Sequence, residues 1–372
     1  MRKIRTYLIA QRWLWLCCGL SYAAFIAAAP ASTADTESLI QQLKAHLNQA
    51  QTEMNSAPLY AARQLLPPDS TAAQLPAELQ LLRGLIGQKL ADYPAARRDF
   101  EQVLASPARP VQAQAHVGLA LLSRIAGDYA AARPHCLTVQ RLGYKSLATL
   151  CLGSLLGREG QAQAAYQLLD QAIFEAQGDG PAAYQGIALE LAMLSQRLGH
   201  TELARHHFAR AFSTKRQDLT VLARYADFLL EQQEAAAVLE QLPADNPEPR
   251  FLLRRALACQ ALAQAECVNA LRPRLVAAYQ HALAQGDRSL LDEEARFLLQ
   301  IQQQAAPALR QLESLWTQRK EPEVARWYLE AALAVGEPER ARPVLAWLQQ
   351  QGWEDLKLHA LAARLAALPA AH

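Results

Sequence analysis

Small and large apolar side chains recur along this chain in a register that repeats itself. Small residues stand at Gly84, Ala120, Gly153 and Ala192, in the middle of segments rich in helix formers. Seven positions on comes a turn residue, at Ala91, Gly127, Gly160 and Gly199. An alanine follows at Ala96, Ala132, Ala165 and Ala204, then a core position at Phe100, Cys136, Leu169 and Phe208, then Val103, Val139, Ala172 and Ala211. Steps of four and three keep these last columns on one helix face. Each unit therefore reads as helix, turn, helix, with successive units 36, 33 and 39 residues apart.

In this reading the small residue of the first helix faces the alanine of the second, where a bulky side chain would push the pair apart. Glycine at the turn supplies the positive φ that ends a helix without steric cost. The Phe or Leu fills the space to the next pair, so a unit buries its face only by stacking on a neighbour. The pattern weakens after residue 215. Residues 222–242 read as a shortened pair with Ala226 in the small position, and 242–249 as a breaker-rich connection. Helices are expected at 251–263, 265–285, 290–303 and 307–318, then a clear pair at 321–335 and 339–350 about Gly336. A lone helix at 353–368 is expected to close one end, and helices at 36–55 and 58–66 to cap the other.

These units resemble tetratricopeptide repeats, whose helix–turn–helix unit is about 34 residues long. The resemblance is carried by Leu119-Ala120 with Gly127-Asp128-Tyr129 and Ala132, by Leu152-Gly153 with Gly160 and Ala165, and by Leu191-Ala192 with Gly199 and Ala204. The aromatic residue that opens the family's first helix is missing. The resemblance implies an all-α, right-handed superhelical solenoid of antiparallel helix pairs. It divides the chain into capping helices at 35–75, regular units at 76–215, degenerate pairs at 216–320, and a last pair with its capping helix at 321–372. Over its whole length the chain is similar to exported tetratricopeptide proteins of Gram-negative bacteria, on stretches such as 224–230 and 294–297.

Composition supports the helical reading, since aromatics are 7% and β-branched residues do not cluster. The amino terminus adds a location. Arg2, Lys3, Arg5 and Arg12 precede an apolar run from Trp13 to Ala29 and a stretch of small residues, the pattern of an export signal over 1–34. Cleavage is expected after Ala31 or Ala34, with an uncleaved membrane anchor as the alternative. Either outcome places the chain in the periplasm or outside the cell. Losing those four basic residues takes Lys+Arg from 37 to 33 against 35 Asp+Glu, so the formal charge of +2 becomes about −2. No basic stripe points to nucleic acid.

No nucleotide loop, nucleophile elbow or zincin helix occurs, and the carboxylates read as isolated on helix faces or at helix starts. No enzyme, metal or cofactor is expected. His200, His206 and His207 cluster, but adjacent residues on a helix point about 100° apart, so they read as surface histidines. Of the four cysteines beyond the signal, Cys259 and Cys267 flank the turn at 263–265 almost symmetrically. A disulfide between them and two buried free thiols both fit. Cys136 occupies the core column and reads as a small core hydrophobe in preference to a partner of Cys151 on the next helix.

Near the ends of the first helices stand Lys89, Arg124, Arg158 and Arg197, with Leu85, Leu121 and Met193 beside them. In this fold the first helices line the concave face. The four cations are thus expected either to form a ridge gripping a peptide with apolar and acidic side chains, or to do no more than offset helix dipoles. The function expected is a non-catalytic scaffold or adaptor for a protein partner, such as a membrane or envelope complex. The alternative is recognition of a glycan or cell-wall polymer.

Overall fold

The computed structural model describes residues 33–67, 75–213 and 218–368. Most of the expected signal and the cleavage point after Ala31 lie outside them, while Ala34 falls at the start of α1 (Thr33–Thr52). The chain divides into two compact units, Met1–Leu39 and Ile40–His372, and the solenoid belongs to the second.

Among the described residues all regular structure is helical. After α1 and α2 (Ala57–Leu65) come eight pairs. The first four are α3 (Ala77–Lys89) with α4 (Tyr93–Val103), α5 (Arg109–Ala126) with α6 (Tyr129–Arg141), α7 (Lys145–Leu156) with α8 (Ala162–Ala176), and α9 (Pro181–Arg197) with α10 (Thr201–Phe212). The next three are α11 (Leu219–Glu231) with α12 (Ala235–Gln241), α13 (Pro249–Ala261) with α14 (Ala265–Ala284), and α15 (Leu291–Gln300) with α16 (Ala305–Trp316). The last is α17 (Pro322–Val335) with α18 (Arg342–Gln351), entered through a 3-10 turn at Pro338–Ala341, and α19 (Leu356–Ala366) ends the chain. The two helices of a pair pack together, and each first helix also touches the next first helix, from α3 on α5 through α15 on α17. This is an all-α solenoid of stacked helix pairs.

The turn inside every pair holds one residue in the left-handed region: Ala91, Gly127, Gly160, Gly199, Gln233, Ala263, Gln303 and Gly336. Four are not glycine, which is why the middle of the chain reads as degenerate although its backbone keeps the same turn. A side chain in this region costs about 1–2 kcal/mol, partly offset because glycine has more unfolded-state entropy to lose. Gln233→Gly is therefore expected to stabilise the chain by about 1 kcal/mol, read as a higher urea midpoint at unchanged slope.

The columns pack differently from the expectation. Ala96, Ala132, Ala165 and Ala204 are fully buried, as are Phe100, Cys136, Leu169 and Phe208. However, at Gly84 and Gly153 the small residue of the first helix faces the bulky residue of the second rather than its alanine. A Cβ added to Gly84 would lie 2.7 Å from the Phe100 ring, and one on Gly153 would lie 2.6 Å from Leu169. Gly118, on the next first helix, approaches Phe100 from the other side, at 2.4 Å by the same measure. Removing the side chain lets a large ring sit between three helices.

The solenoid of Ile40–His372 also coils back on itself. The Arg288 N–H donates to the Leu90 carbonyl at 2.9 Å, and the Lys320 N–H to the Ile125 carbonyl at 2.7 Å. The Ala162 N–H donates to the Glu354 carboxylate at 2.6 Å. Each time, a turn of an early pair meets a connection between later elements, nearly the same distance further along the chain. Gly160 makes the closest approach to another backbone: a Cβ there would stand 2.5 Å from the Gly352 carbonyl oxygen. The terminal helices are accordingly more than caps. Tyr60 of α2 donates its hydroxyl to Asp287 at 3.0 Å, and Glu248 accepts from the Ser56 N–H and hydroxyl, both at 3.1 Å. At the other end α19 packs on α17 with Leu356 against Gly199.

Candidate functional site

The inner helices carry charge at matching positions. Arg224 and Asp227 on α11, Glu293 and Arg296 on α15, and Glu323 and Arg326 on α17 are each three apart, and Arg250 and Arg254 on α13 four apart. Such spacings put both members of a pair on one helix face. Stacking the first helices then brings these faces together. Arg254 bonds Asp227 at 2.6 Å and Glu293 at 2.9 Å, while Arg296 reaches the other oxygen of Asp227 at 2.6 Å. Arg319 holds Asp292 at 2.9 Å and Glu321 at 2.8 Å. Glu231 collects Arg326, Lys357 and Gln196. The carboxylates are thus not isolated on helix faces. That i,i+3 spacing was the available signal, and only the stacking shows that the faces converge.

The expected ridge is found in a different setting. Lys89 is exposed beside half-buried Leu85, near Asp218 and Arg250. Arg158 is buried; its Nη1 bonds Glu190 at 2.9 Å and the Ser154 carbonyl and hydroxyl at 2.8 Å. Arg124, Arg197, Leu121 and Met193 are half-buried. Arg124, Arg158 and Arg197 do not form a purely basic ridge, because Glu321, Glu323 and Asp355 of the later elements stand among them. The coiling that closes the solenoid brings α17 and α19 against this face. Burial would raise the Glu190 carboxyl, but Arg158, Arg124 and Arg197 outweigh it and hold the group at about 2. Arg158, Arg197 and Met193 still line a recess, completed by Arg224, Glu231, Arg326 and Lys357.

Sequence reasoning also misjudged two smaller features. His207 is buried, with 1% of its surface exposed and its Nε2 3.0 Å from the Tyr166 hydroxyl. Burial, then Arg210 and His206, push it down from 6.5 to about 4 against a weaker opposing pull from Asp170. The unfolded chain takes up this proton first as pH falls. Stability is therefore expected to drop between about pH 6.5 and pH 4, and His207→Gln to flatten that part of the curve in urea titrations at stepped pH. Cys136 is a bonded partner of Cys151, not a free core thiol, and Cys259 is joined to Cys267. The Cα atoms of the two pairs are 5.6 and 6.0 Å apart. The shorter loop contributes about 2 kcal/mol by restricting the unfolded chain. Among the described residues no group of three or more His, Cys, Asp or Glu is placed to hold a metal ion, and no helix is long and apolar enough to cross a membrane.

No family model matches the chain, and no curated protein matches it. Among solved structures, a tetratricopeptide repeat protein from Parabacteroides merdae ATCC 43184 is similar over 68% of this chain and 98% of its own. The two are 16% identical with a TM-score of 0.38, a likeness too loose to carry an argument about fold or function. The fold stands on the helix packing itself.

Proposed function

We propose that the protein is a non-catalytic scaffold that holds a protein partner in the periplasm or cell envelope, at the recess left on the inner face of its solenoid. The observation that carries this reading is the mixed-charge wall of that recess, built by one face of successive first helices and left with Arg224, Arg326 and Lys357 partly exposed. Such a wall suits a polar segment with charges of both signs better than the apolar peptide a plain groove would take. Export is supported by the basic and apolar amino terminus and by the two disulfides, which persist in oxidising compartments.

Glycan recognition, the other reading, calls for a bare aromatic platform. Trp327 lines the recess, but its ring is 5% exposed and covered by Arg296 at 4.3 Å and Arg326 at 4.5 Å. The test is capture from envelope extracts with wild type and with Arg224→Glu/Lys357→Glu. Loss of one specific partner from the variant is expected. The same partner captured equally by both proteins would remove the recess as the docking site.

A further inference from the structure

One part of the inner face goes beyond this reading and does not depend on it. Arg124 near the end of α5, Arg158 just after α7 and Arg197 at the end of α9 converge with Tyr129 and with Trp353 of the α18–α19 connection. The Trp353 indole N–H faces the Tyr129 oxygen, and four donors around them find no acceptor among the described residues: the Tyr129 hydroxyl, Arg158 Nε, and Arg197 Nε and Nη2. Three of the side chains are deeply buried, Tyr129 at 4%, Arg158 at 4% and Trp353 at 2% exposure. Buried donors are ordinarily paired, so four around one spot need an explanation.

We propose that these side chains form a binding site for a small oxyanion, a carboxylate or phosphate group seated on the Nε/Nη2 edge of Arg197. That edge presents two parallel N–H groups, the fork that takes two oxygens of one anion, while Nη1 is occupied by the Gly157 carbonyl at 3.2 Å. Three of the carboxylates in reach are each paired with one other arginine, and the fourth caps α19. Glu190 pairs with Arg158, Glu321 with Arg319 at 2.8 Å, and Glu323 with Arg224 at 2.7 Å. Asp355 accepts the Lys357 and Leu358 N–H groups at 3.0 and 3.1 Å. Arg124 and Arg197 thus keep no carboxylate at ion-pair distance among the described residues. Burial, and after it the charge of Arg158, pulls both guanidinium groups below their ordinary range, Arg124 to about 10. An anion at this spot relieves both effects.

The experiment is thermal unfolding of the full chain in inorganic phosphate, in acetate and in chloride, at matched pH and ionic strength. Wild type is expected to show a saturable rise of about 3 °C at ten times the dissociation constant. Arg197→Lys keeps the charge but loses the fork, and is expected to lose the rise. Tyr129→Phe, which changes no charge, is expected to weaken it and serves if the first variant fails to fold. A response to phosphate alone assigns a tetrahedral anion, and a response to acetate alone assigns a carboxylate. General salting effects act on both proteins alike. Parallel curves for wild type and variants in both anions would overturn the proposal.

Discussion

Asp227→Ala is expected to destabilise the chain by about 3–5 kcal/mol, the largest loss from any single charged residue of the inner face. One carboxylate there serves two arginines, Arg254 and Arg296, whose side chains are 4% and 7% exposed. Burial alone would raise its pKa, yet the two guanidinium groups hold it far below the usual carboxylate range. Removing it leaves two cations out of water. Arg254 would keep Glu293 and the Ala223 and Arg250 carbonyls, and Arg296 would keep Gln300 and the face of Trp327. Glu293 still balances Arg254, but the contacts of Arg296 satisfy donors and neutralise little of its charge. Chemical denaturation reads the cost directly. Adding Arg296→Met to Asp227→Ala should recover part of it, because the stranded charge is then gone while Arg254 keeps Glu293. A loss below about 1 kcal/mol would mean that water reaches this network freely.

The second large effect is expected at the crossing of α3, α4 and α5. Phe100 is fully buried between two glycines, so Phe100→Ala opens a cavity and is expected to cost about 3–5 kcal/mol. Gly118→Val errs in the other direction, pressing methyl groups into the same ring, for about 1–3 kcal/mol. Combined, the two changes should cost clearly less than their sum, since valine then occupies space the ring has left. A double-mutant cycle in urea measures that coupling, and strict additivity would show that the ring does not fill this crossing.

The helix pairs were legible in the sequence because their signals are local. Apolar spacing marks the faces, and Gly127, Gly160, Gly199 and Gly336 mark the turns. Legibility faded where the same turn is made by Gln233, Ala263 and Gln303, since nothing in those side chains announces a left-handed backbone. The partners of the small column were misread for a related reason. Gly84 and Ala96 share a unit, but which residue a glycine faces depends on how the two helices are rotated. Burial of Arg124, Arg158 and Arg197 lay further out of reach. It depends on Glu321, Glu323 and Asp355, far along the chain, which arrive only when the solenoid coils. The spacing of Arg224 with Asp227 or Glu323 with Arg326 was visible, but not that such faces meet.

The coiling decides how the inner face is understood, and amide hydrogen exchange at Arg288 and Lys320 tests it most directly. Both residues lie in connections between helices, where an amide in an open superhelix meets only water. In the closed solenoid their N–H groups are bonded to Leu90 and Ile125, and both amides are expected to exchange as slowly as those of the surrounding helices. Exchange at the rate of an unstructured peptide at these two positions, with the helices still protected, would contradict the account.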